Sequence, residues 1–158
     1  MRFVHPRKPA ASTGPRPYVF SMEKRERMAL LSILNMYPVL EPSHHRISQK
    51  PRAAEQQWLE ETMKQQKEEH KQKLAQLFLD DGRFFKEGKE DVRLSLTGEQ
   101  MEWLLRVLND IRVGSWVRLG QPEMEEARHF ATKSGRTHFL TAMELSGYFQ
   151  AVLLQAFS

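Results

Sequence analysis

The chain has 158 residues, 40% of them hydrophobic and 28% charged, with a net charge of +4. That is the length of one domain and the composition of a globular chain, neither disordered nor membrane-embedded. It has no cysteine, which excludes disulfides, thiolate metal sites and cysteine nucleophiles. The charge is uneven: residues 1–52 carry +7 and residues 53–158 carry −3.

The opening stretch holds Arg2, Arg7, Lys8 and Arg16 among Pro6, Pro9, Pro15 and Pro17, and no acid. Proline opposes a helix and the charges oppose a core, so residues 1–17 are expected to form a flexible basic arm. Such an arm is either a plain solvated terminus or an electrostatic hook for nucleic acid or an acidic partner. Lys24, Arg25 and Arg27 extend the basic character into the next segment. No apolar secretory segment is visible at the start, and a cytoplasmic location is expected.

Tyr18–Phe20 reads as a short extended run ending in Ser21, a good helix cap. A helix is expected over 22–37, stopped by Pro38, and 39–50 shows no period. A second helix is expected over 52–79, with a polar, solvated middle and apolar anchors at its ends: Trp58 and Leu59, then Leu74 to Leu79. Its heptad is empty for two turns, which rules out a coiled coil. Asp80-Asp81-Gly82 signals a turn. Val92–Leu96 alternates like a strand and enters Thr97-Gly98-Glu99-Gln100, a capping box. The two extended runs are able to pair as a small two-stranded ribbon.

A third helix over 98–119 has one apolar face from Met101, Leu104, Leu105, Leu108 and Ile111, and another from Trp103, Val107, Val113, Trp116 and Val117. Such a helix belongs at the centre of the fold. Gly120 suits a left-handed cap with Pro122 behind it. Residues 121–136 read as a polar connector with one helical turn near 123–129. A final apolar helix is expected over 138–157; its polar interruptions argue against a membrane span, and it is a candidate face for a homodimer. The fold class is therefore mainly all-α: a single domain over 18–158 with four helices, orthogonal or bundle-like, with or without the ribbon.

Among polar residues, Arg106, Asn109, Asp110, Arg112 and Arg118 lie on the central helix. They form either a structural network or a recognition site, because unpaired polar groups do not stay buried cheaply. Glu126 and His129 have a metal-site spacing in one copy only, so no metal is expected. There is no phosphate loop and no nucleophile elbow. Neither a catalytic residue nor a cofactor is expected.

Leu108-Asn109-Asp110-Ile111-Arg112 followed by Arg118-Leu119-Gly120 resembles a bacterial family, the domain of unknown function two-zero-one-seven. Thr97–Gln100, the segment Tyr148–Leu154 and the opening Glu23–Leu34 agree with its helices. The resemblance spans about 18–158 and rests chiefly on 94–120. One departure is Trp116, where a small residue is expected, with Gly114 close by. The resemblance implies a small helical cytoplasmic protein with no assigned activity. The family's occasional neighbourhood to a gene for a Clp-protease adaptor hints at proteolysis or regulation. The expected function is a non-enzymatic interaction or regulatory module with a protein partner. The alternative is nucleic-acid association through Arg2, Arg7, Lys8, Arg16, Lys24, Arg25 and Arg27.

Overall fold

The computed structural model describes residues 1–4, 14–40, 53–79, 84–86 and 91–158. In chain order they form β1 (Arg2–Val4), β2 (Tyr18–Glu23), α1 (Lys24–Leu34), α2 (Ala53–Leu79) and β3 (Phe84–Lys86). Then follow β4 (Asp91–Leu96), α3 (Gly98–Arg118), α4 (Ala127–Ser134) and α5 (Thr137–Gln155). The chain is mainly helical and carries a small antiparallel sheet of order β1-β2-β4-β3.

The anticipated ribbon is the centre of that sheet, with Phe20 opposite Leu94 and Met22 opposite Val92. Strand alternation puts Phe20, Met22, Val92, Leu94 and Leu96 on one face, and all five are buried. Side chains paired across strands on one face are what stabilises such a sheet. Pairing also moves the start of α1. Ser21 and Met22 are held by Arg93 and Val92 on β4, so neither is free to begin a helix. The cap falls to Glu23, whose N–H donates to Glu26 Oε2 at 2.8 Å.

The basic arm expected over 1–17 is corrected at its beginning. Arg2–Val4 is an edge strand on β2, with Phe3 opposite Phe20. Phe3 stacks 5.5 Å from Phe20 and 6.5 Å from Tyr18, ring centroid to centroid. Two apolar residues, Phe3 and Val4, outweigh the flanking cations there. Residues 5–13, with Arg7 and Lys8, lie outside the described part, as do the expected loop at 41–50 and the turn at 80–82.

The central position of α3 is as expected. Met101, Leu104, Val107, Leu108 and Ile111 are buried together with Leu30, Ile33 and Leu34 of α1 and Phe149, Val152 and Leu153 of α5. Its start is fixed by reciprocal bonds: Thr97 N–H donates to Gln100 Oε1 at 2.8 Å, and Gln100 N–H to Thr97 Oγ1 at 3.3 Å. Its end is a Schellman turn. Gly120 takes φ +94°, its N–H donates to the Val117 carbonyl, and Gln121 N–H donates to the Trp116 carbonyl. Gly114 admits the segment after α1, since a Cβ there would stand 2.9 Å from Val39 Cβ. The polar connector contains a fifth helix, α4, longer than the single turn expected, with Ala127 and Ala131 buried.

The second helix is anchored at its C-terminal end as expected, by Leu77 with Leu74 beside it, but its other anchor differs from expectation. Trp58 is 67% exposed, while His70 in the polar middle is 4% exposed. The His70 ring lies 3.9 Å from that of Tyr37 and 5.2 Å from that of Trp103. Burial pushes its pKa down to about 4, against a hydrogen bond to the Leu34 carbonyl and with Lys73 adding to the depression. The polar middle of the helix is thus anchored by a neutral imidazole, which no hydrophobic pattern records. Among the described residues, no helix is long and apolar enough to cross a membrane.

Candidate interaction groove

Helices α3 and α5 pack antiparallel. Arg112 Nη1 donates to Gln150 Oε1 at 3.3 Å, and Gln150 Nε2 donates to the Leu105 carbonyl at 3.4 Å. Nearer the end of α3, Arg118 lies over the Phe139 ring at 5.7 Å. Gly147 faces Arg112 across the crossing, where an added Cβ would stand 3.9 Å from Arg112 Cδ, an ordinary contact.

Beyond this crossing the chain leaves a cavity of about 610 Å³ lined by Val113, Trp116, Pro122, Met124, Met143 and Gly147. Trp116 holds its roof in place by donating from Nε1 to the Pro122 carbonyl at 3.0 Å. Arg136 braces the same corner, donating from Nη1 to the Arg118 carbonyl at 2.8 Å. Val113 is 45% exposed and Met124 is 73% exposed, so the apolar wall opens to solvent. The volume lies in the range of ordinary ligand and peptide pockets.

Val113 is also a wall of a second cavity of about 320 Å³, with Tyr37, Val39, Met63, Gln66 and Asp110. The two hollows therefore share Val113 as a wall. Asp110 is exposed on its outer side, but partial burial against this hollow pushes its carboxyl pKa up, opposed by the Arg106 guanidinium. Burial likewise raises the Tyr37 hydroxyl, with Asp110 adding to the rise and Arg106 opposing it.

The five polar residues expected to act together are not brought into one site. Arg106 and Asp110 belong to the side facing Tyr37, Arg112 is tied to α5, Arg118 lies on Phe139, and Asn109 is exposed. The basic residues are likewise distributed. Arg2 and Arg16 are exposed on β1 and ahead of β2, while Lys24 and Arg25 are exposed at the start of α1. Arg25 Nε donates to Glu23 Oε2 at 2.6 Å, and Arg27 is half-buried. Glu126 and His129 are both exposed, and among the described residues no three His, Asp or Glu side chains form a metal cluster.

A separate polar cluster joins α1, β1 and α5. The Met1 amine pairs with Glu26 and donates to Tyr148 Oη at 2.7 Å, and the Tyr148 hydroxyl donates to Glu26 Oε1 at 2.8 Å. Burial acts to raise Glu26, but these bonds hold it below the ordinary carboxylate range. Burial and the Glu26 carboxylate together push Tyr148 up to about 12.

Sequence reasoning missed the groove residues Met124, Met143 and Gly147. The available signal was Met124 standing alone in the acidic run Glu123–Glu126, a large apolar side chain with no periodic partner. Searches of family models, curated proteins and solved structures find no match to this chain.

Proposed function

We propose that this chain is a non-enzymatic protein-interaction or regulatory module that works through the groove between α3, α5 and the 120–126 loop. The observation that carries the reading is the pair Val113 and Met124, exposed on the wall of an apolar hollow of about 610 Å³. Exposed apolar surface gathered in one concave place marks an interaction site more often than scattered side chains do. Methionines at such a site adapt to differently shaped apolar groups. Membership of the two-zero-one-seven family and a cytoplasmic location belong to the same proposal.

The test is a photo-crosslinking amino acid placed at Met124 in cells. The expected product is one defined protein whose purified form binds the wild type and fails to bind Val113→Asp. Crosslinks to nucleic acid alone, with binding that falls steeply with salt, would move the function to Arg2, Arg16 and Lys24.

A further inference from the structure

We infer that the groove receives an amphipathic helix whose apolar face is flanked by lysine or arginine. The inference rests on the interaction reading above and adds the chemistry of the partner. Its first support is charge. Glu123 and Glu144 line the hollow beside Arg112. Glu125 and Glu126 are exposed on the same loop. Two cations offset them in part: Arg112, which keeps its charge while donating to the neutral Gln150, and Arg128, whose Nη2 stands 3.9 Å from Glu144 Oε1. Glu123, Glu125, Glu126 and Glu144 against Arg112 and Arg128 leave a net negative rim around an apolar floor. A partner bearing positive charge beside its apolar anchors meets that rim favourably, and a negative one is repelled.

The second support concerns the backbone of the occupant. An extended peptide gains affinity by adding to a free strand edge, and the walls of this hollow are two helices and a loop. The partner must then satisfy its own N–H and C=O groups, which a helix does. Its apolar anchors at i and i+3 or i+4 reach the hollow at Trp116 and Met143. Met124 and Met143 adjust to the anchors' shapes.

The probe is a fluorescein-labelled leucine–lysine model helix of about 14 residues, roughly four turns, compared with a matched leucine–glutamate helix by anisotropy. The full chain is used throughout. The lysine helix is expected to bind saturably, and Val113→Ser and Met124→Ser each to weaken it about tenfold or more. Both positions are exposed, so unchanged far-ultraviolet circular dichroism and melting are expected. Glu123→Lys combined with Glu126→Lys should transfer preference to the glutamate helix. If the glutamate helix binds the wild type as well as the lysine helix, and Val113→Ser still weakens both, the partner chemistry is overturned while the groove stands. If neither serine variant changes binding of the lysine helix, the groove is not the site and both readings fall.

Discussion

Replacing His70 tests the account of how α2 is held. The side chain is 4% exposed and its pKa is pushed down to about 4, against an ordinary value of 6.5 in the unfolded chain. Above pH 6.5 the imidazole is neutral in both states and contributes no pH dependence. Between 6.5 and 4 the unfolded chain takes up a proton that the folded chain refuses, so stability is lost as pH falls. The full loss, reached below pH 4, is about 3 kcal/mol, and about 2 kcal/mol of it is already gone at pH 5. Urea denaturation of wild type and His70→Leu at a series of pH values isolates this contribution, since the carboxylates titrate in both proteins. The stability advantage of the wild type is expected to shrink by about 2 kcal/mol from pH 7.5 to pH 5. Parallel curves, or a His70 resonance titrating near 6.5, would refute the buried stack between Tyr37 and Trp103.

Three other substitutions probe the packing. Gly114→Ala gains helix propensity but places a Cβ 2.9 Å from Val39 Cβ. A net loss of about 1–3 kcal/mol by thermal unfolding is expected from overpacking, and a gain would show that Val39 is free to move. Ser146 is fully buried and its hydroxyl has no hydrogen-bond partner among the described residues. Ser146→Ala should therefore raise stability by about 1 kcal/mol in denaturant melts, whereas a loss would reveal a partner for the hydroxyl. Tyr148 should be the last of the tyrosines to ionise, near pH 12, in an ultraviolet titration. That component should vanish in Tyr148→Phe.

What was legible in the sequence was what local rules control. The box at Thr97–Gln100, the left-handed Gly120 and the apolar stripe of α3 each depend on residues within a turn or two, and each is where the pattern puts it. The pairing of Tyr18–Phe20 with Leu94–Leu96 was legible as an option because the first run is rich in strand formers and the second alternates. Features set by distant partners were not. Ser21 would cap a helix in isolation, but β4 takes its backbone first. Phe3 looked like part of a charged terminus until Phe20 and Tyr18 were in place to receive it. His70 stands among glutamates, glutamines and lysines, and its burial depends on Tyr37 and Trp103, neither of which is on its own helix.

The site was legible only in half, and the geometry of α3 explains why. Its two apolar faces announced a central helix but not how far each is covered. One face is consumed by α1, α5 and the sheet. The other is covered in part: His70 lies against Trp103, and Leu77 shares a hollow with it. Farther along, α2 offers Met63 and Gln66 at the small cavity, and Trp58 turns to solvent. The cover therefore thins toward the end of α3, where Val113 and Trp116 remain. Had the chain needed only stability, a larger residue than Gly147 or a buried one at Met124 would have closed that end. Instead the 120–126 loop is pinned by Trp116 and carries its methionine outward between glutamates. On the interaction reading proposed above, that apolar face beside the glutamates is the surface a partner of opposite charge would meet.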